Sequence, residues 1–207
     1  MKGYPRPPNH FDLRPKLAES TGTRLFYRFN PSDFSSSLFF SKNKEYRFDD
    51  PDEEFGVFYA ALQADAAFAE TYGHDVSDVP YDARKVISEN ELKQRHVFMV
   101  GIRGLRLAMF CGEGLPVLGL DGNICTMPGY TIPQQWAQWI YQHPQQYDGI
   151  QYHSCHLLSI DCIALFERAK AKVVSEKDLG SALEFQHPRT GKTIFDIMEA
   201  QGWAVVM

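Results

Sequence analysis

Four side chains sit where their chemistry is costly unless something uses it. Arg28 falls inside an apolar run with Leu25, Phe26, Tyr27 and Phe29, where a guanidinium is expensive to bury unless it meets an anion. Glu70 follows Ala66 and Ala67 by four and three residues, so on a helix its carboxylate shares a face with small apolar side chains rather than a solvated stripe. It also stands three residues before Gly73, at the helix end where the macrodipole disfavours negative charge. Tyr59 lies in the apolar run ahead of that helix, and Ser154 brings a hydroxyl to the end of Asp148-Gly149-Ile150-Gln151-Tyr152-His153-Ser154. Three of them also have an ordinary reading: an arginine paired with a carboxylate, a half-exposed helix glutamate, a serine satisfying backbone groups.

The elements that must position these residues follow from pattern. Residues 24–29 alternate large side chains and are expected as a strand, broken by Asn30-Pro31-Ser32. Residues 55–61 form a short apolar run, expected as a buried strand. The alanine-rich stretch 64–72 is expected as a helix closed by Gly73 in the left-handed conformation. Residues 95–102, 105–110, 149–154, 162–166 and 171–174 are expected as further strands. A helix over 134–143, capped by Thr131, carries Trp136, Trp139 and Ile140 toward the core, and a last amphipathic helix spans 193–201. The acidic stretch 49–54 is expected as a solvated loop. Strands scattered among unequal helices, with no regular βαβ alternation, place the chain in the α+β class with mixed or antiparallel sheets. Residues 1–22 are expected to be an irregular arm, residues 23–207 one domain, and the glycine- and proline-rich stretch 111–147 a long insertion.

Composition narrows the function classes. The 207 residues carry 21 Lys+Arg against 26 Asp+Glu, a net charge of -5, which disfavours direct nucleic-acid binding. No stretch reaches the length of a membrane span and no apolar leader is seen, so no membrane partner is expected and a cytoplasmic location is, with delivery to another cell left open. The cysteines, Cys111, Cys125, Cys155 and Cys162, are expected to be reduced thiols. His153, Cys155, His156 and Cys162 crowd together without the two tight pairs of a zinc site, so no metal is expected. Arg189-Thr190-Gly191-Lys192-Thr193 lacks the earlier glycine of a P-loop, and Gly112-Glu113-Gly114 lacks the third glycine of a dinucleotide fingerprint. G-x-S-x-G and H-E-x-x-H are absent.

Taken in order, three stretches resemble the RES domain, named for an arginine, a glutamate and a serine: Leu25-Phe26-Tyr27-Arg28, then Val57-Phe58-Tyr59-Ala60 with Ala66-Ala67-Phe68-Ala69-Glu70, then 148–154 ending in Ser154. The resemblance runs from about Thr23 to Phe166. It implies a fold similar to ADP-ribosyltransferases and the toxin of a toxin–antitoxin pair, with an Xre-type antitoxin or another cognate immunity protein as partner. The activity it implies is cleavage of the nicotinamide–ribose bond of NAD, the substrate, with water or phosphate as acceptor. Protein mono-ADP-ribosylation at the same site and an inactive interaction module are the alternatives. It also implies a second arginine, for which Arg47 is the candidate, although Tyr46 and Asp49 replace the usual glycine and asparagine around it.

Those residue types suit that reaction. Nicotinamide leaves NAD as a neutral ring from a cationic bond, so the site must stabilise an oxocarbenium-like ribose rather than protonate a leaving group. Glu70 is expected to supply the opposing charge and hold a ribose hydroxyl, and Tyr59 an aromatic face for the cationic ring. Arg28 and Arg47 are expected to fork onto pyrophosphate oxygens, and Ser154 to bond ribose or position Glu70.

Overall fold

The computed structural model describes residues 3–73 and 85–206. Among the described residues ten strands are present: β1 (Leu17–Glu19), β2 (Thr23–Pro31), β3 (Val57–Ala61), β4 (Lys85–Ser88), β5 (Arg95–Arg103), β6 (Arg106–Phe110), β7 (Gly149–His153), β8 (Asp161–Phe166), β9 (Val173–Ser181) and β10 (Trp203–Val206). Eight form one sheet in the order β1-β6-β7-β8-β3-β2-β5-β9, and β10 pairs with β4 in a separate parallel ribbon. Within the large sheet only β6 and β7 run parallel. The helices are α1 (Ala64–Tyr72), α2 (Glu89–Lys93), α3 (Gly114–Val117), α4 (Asn123–Thr126), α5 (Thr131–Gln142) and α6 (Ile194–Ala200). The architecture is therefore α+β, a large mixed sheet with flanking helices.

The sheet nearly parts in its middle. Strands β2 and β5 are paired over nine residues, and β3 and β8 over five, but β2 and β3 share a single register position, Tyr27 opposite Ala61. Strand alternation sends Tyr27 and Phe29 to the face covered by α1, and Phe26 toward the opposite core with Phe58 and Ile163. Helix α1 lies close over the first face because its buried side chains are mostly alanine: Ala64, Ala66, Ala67 and Ala69, with Phe68 set edge-on to Phe29.

Several expectations are corrected. Gly73 is right-handed, with φ -79; glycine is required there because a Cβ would come within 2.3 Å of the Ala69 carbonyl oxygen and 2.9 Å of the His156 ring. Helix α5 begins a turn earlier than expected, with Thr131 inside it and Tyr130 at its start without a side-chain cap. The N-terminal stretch is not irregular throughout, since residues 17–19 form an edge strand on β6. Before it, Trp136 and Trp139 use their buried rings in the core and their indole N–H groups on the carbonyls of Pro5 and His10, at 3.0 and 3.2 Å. The expected strand over 171–174 is the end of a 3-10 turn (Glu167–Lys172) followed by the nine-residue β9. Finally, the 49–54 stretch is not simply solvated: Asp49 and Asp50 are buried, and Asp50 accepts backbone N–H bonds from Asp52 and Phe55, both at 3.2 Å.

Candidate active site

A cleft of about 320 Å³ opens where β2 and β3 part. Its lining includes Arg28 from β2, Tyr46 from the following loop, Tyr59 from β3, Glu70 from α1, Arg95 from β5 and Tyr152 from β7. Three of the residues picked out by sequence, Arg28, Tyr59 and Glu70, thus meet at one opening although 42 positions separate the first from the last.

The Glu70 carboxylate is held from beneath. Oε1 accepts the Ser154 hydroxyl at 2.7 Å and Oε2 accepts the Tyr152 hydroxyl at 3.1 Å. Ser154 is fully buried and does not line the cleft. Its oxygen already accepts the backbone N–H groups of His156 and Leu157, at 3.2 and 3.1 Å. With both acceptor positions used, its proton can go only to Glu70, so Ser154 is a positioning residue. Burial and the nearby Glu70 hold the Tyr152 phenol well above its ordinary range, which keeps it a donor. Tyr152 was missed by sequence reading, but the period of a strand could have found it: it lies two residues before Ser154 and so shares its face.

Tyr59 is fixed just as firmly. Its hydroxyl donates to Asp49 Oδ1 at 2.9 Å and accepts the Phe48 N–H at 2.9 Å, while the other Asp49 oxygen takes the Tyr46 N–H. Burial pushes the Asp49 carboxyl upward and the Tyr59 phenol well upward. The Tyr46 and Tyr59 rings meet at 5.6 Å, giving the cleft an aromatic wall. Asp49→Ala leaves the Tyr46 N–H and the Tyr59 hydroxyl without their acceptor. The expected loss is roughly 2–4 kcal/mol, read as a melting-temperature drop of ~5–15 °C; an unchanged melting temperature would remove Asp49 from this role.

Arg28 has no anion. Its Nε donates to Asn30 Oδ1 at 2.7 Å and its Nη1 to the Phe39 carbonyl at 3.3 Å, and the guanidinium lies 4.7 Å from the Phe58 ring centre. Burial lowers its pKa to about 10, opposed only by the phenols of Tyr46 and Tyr59. It is a charged group walled by neutral partners, the arrangement of an anion site.

Arg47 does not join this group. Its Nη1 donates to the carbonyls of Met127 at 3.0 Å and Ile124 at 3.5 Å, and its guanidinium lies 4.8 Å from the Tyr130 ring centre. It ties the segment around α4 to the 46–49 loop and is not among the cleft-lining residues. The second arginine lining the cleft is Arg95, at the start of β5, 5.6 Å from the Tyr72 ring centre. The crowding expected of His153, Cys155, His156 and Cys162 also resolves differently. Cys155 and His156 lie near Glu70, whereas His153 lies near Cys111 and Asp161.

This geometry can be set beside known proteins. No curated protein matches the chain. Among solved structures, the M. tuberculosis MbcT–MbcA toxin–antitoxin complex contains a chain of the same fold, with a TM-score of 0.56 and 13% identity. The match covers 80% of this chain and 88% of that one. The cleft at the parted strands, with arginine, tyrosine and glutamate on its walls and serine behind the glutamate, lies within residues 23–187, over which the RES domain matches, and the chain belongs to that family.

Proposed function

We propose that the chain is the toxin of a toxin–antitoxin pair and that it degrades NAD by breaking the nicotinamide–ribose bond, with water or phosphate as acceptor. The observation that carries this reading is Glu70, a carboxylate gripped by two hydroxyl donors at the wall of a cleft that also holds an arginine with no anionic partner among the described residues. A carboxylate fixed in this way needs no reorganisation when positive charge grows on a ribose carbon.

In this reading the pyrophosphate meets Arg28 and the nicotinamide ring lies against the Tyr46–Tyr59 wall. As the C–N bond breaks, its electron pair leaves with nicotinamide and the ribose carbon becomes cationic opposite Glu70. Water then adds to that carbon and releases one proton, giving ADP-ribose; phosphate adds in the same way to give a phosphorylated ADP-ribose. Arg95 serves the distal part of the dinucleotide. Residues 23–207 form the catalytic unit in this reading, acting in the cytoplasm and restrained by an antitoxin of the Xre type. A chain of the MbcT–MbcA toxin–antitoxin complex shares the fold.

The test is incubation of the purified chain with labelled NAD, with and without phosphate, followed by identification of products. Free nicotinamide with ADP-ribose or its phosphate derivative supports the reading. Label retained on protein replaces it with ADP-ribosyl transfer, and no consumption by folded protein replaces it with a binding module.

A further inference from the structure

On the face of the sheet opposite Glu70, the ends of three neighbouring strands bring a thiol, an imidazole and a carboxylate together. Cys111 directly follows β6, His153 ends β7 and Asp161 begins β8. Pairing places His153 opposite Asp161 and Phe110 opposite Tyr152, which sets Cys111 beside His153. One ligand atom from each of Cys111, His153 and Asp161 lies within 4.8 Å of the others. His153 Nε2 and Asp161 Oδ1 are 3.3 Å apart; two nitrogen or oxygen ligands on a tetrahedral zinc, each bonded at about 2.0 Å, stand ~3.3 Å apart.

A second observation concerns the residue between them. Gln151 is 8% exposed and shares the His153 face of β7. Its Nε2 donates to Asp161 Oδ2 at 2.9 Å and approaches Cys111 Sγ at 3.9 Å. Its Oε1 is buried with no hydrogen-bond partner among the described residues, an arrangement that calls for a missing donor. Arg24 Nη2 lies 3.9 Å from Asp161 Oδ2, so the second carboxylate oxygen is already occupied by Gln151 and Arg24 while Oδ1 faces His153. Cys111 is buried, whereas the His153 side chain is 37% exposed and gives solvent a way in.

We propose that Cys111, His153 and Asp161 bind a divalent zinc-type cation on the back of the sheet, with Gln151 orienting the Asp161 carboxylate. The thiol proton of Cys111 passes to solvent as the metal–sulfur bond forms. A water in the fourth position supplies the donor that Gln151 Oε1 lacks. Because Tyr152 on the same strand and Ser154 just past its end, which grip Glu70, flank His153, the ion anchors the strand end that positions the candidate catalytic carboxylate. The site is independent of the NAD reading, and its test needs no NAD.

The full chain is titrated with zinc alone, in competition with a chromophoric chelator, and with cobalt to observe the thiolate-to-metal charge-transfer band. One zinc per chain is expected, with a melting temperature that rises with zinc concentration. Cys111→Ser should abolish the cobalt charge-transfer band, and His153→Ala should weaken binding. Gln151→Leu should weaken it by ~10–100-fold. Cys155→Ser, which touches the cluster near Glu70 instead, should leave band and affinity unchanged. Circular dichroism of each variant separates loss of binding from loss of fold. Absence of binding by folded wild-type chain, or a band that survives Cys111→Ser and disappears in Cys155→Ser, would overturn the proposal.

Discussion

Glu70→Gln should cut the rate of NAD loss by ~10³-fold in a chain that still folds. The expected effect amounts to about 4 kcal/mol of transition-state stabilisation. Folding should survive because the hydrogen bonds around the side chain can be re-made. The Ser154 proton has one destination, so the amide oxygen of the new glutamine takes the place of Oε1. The amide N–H₂ then faces Tyr152, whose hydroxyl can accept as well as donate. What disappears is the negative charge opposite the ribose. The measurement is kcat for nicotinamide release beside a thermal melt. A variant with full activity would remove Glu70 from the chemistry, and one that is inactive because it is unfolded would show it in the melt. Ser154→Ala separates the roles further: the carboxylate stays but loses one of its two grips, so kcat should fall by less than in Glu70→Gln with KM little changed.

Much of this site is legible in the sequence, and the parts that are not have physical reasons. Strands β2, β3, β5 and β8 and helix α1 announce themselves because they are buried and their apolar spacing is uninterrupted. The edge strand β9 does not: Glu176, Lys177 and Asp178 are exposed, and an edge strand held mostly by backbone pairing leaves little hydrophobic signal. Helices α3 and α4 are four residues each and lack side-chain caps, so no start or stop signal marks them in the glycine-rich stretch. The Asp49–Tyr59 bond was hidden by composition, because five acids in six positions read as solvated when two of them are buried acceptors for backbone and phenol donors. Arg47 shows a different limit. Its residue type and position suited a phosphate contact, but nothing local to it announces that the carbonyls of Ile124 and Met127, nearly eighty positions away, will use its guanidinium.

Arg28→Met should raise KM for NAD by roughly 10–100-fold, the equivalent of losing charge-assisted hydrogen bonds worth about 1.5–3 kcal/mol, while leaving the chain as stable as before or slightly more so. The two effects share one cause. In the free protein the guanidinium is held among neutral groups, with burial lowering its pKa to about 10, so folding carries the cost of an unpaired charge. Methionine removes that charge and keeps contact with Phe58, against the loss of the donors to Asn30 Oδ1 and the Phe39 carbonyl. The charge term is the larger, so the melting temperature should rise by ~2–4 °C for each kcal/mol gained. The pH dependence has a fixed sign. A base with a lowered folded pKa binds its proton more weakly than the unfolded chain does, so the cost is constant through neutral pH and is relieved only as pH climbs past about 10. Arg47→Met should behave in the opposite way, because its carbonyl acceptors and Tyr130 lose their partner: the melting temperature falls and KM changes less. A stability loss in Arg28→Met with unchanged KM would make Arg28 a structural residue and return the anion site to the other cleft-lining arginine, Arg95, whose alanine variant would then carry the KM effect.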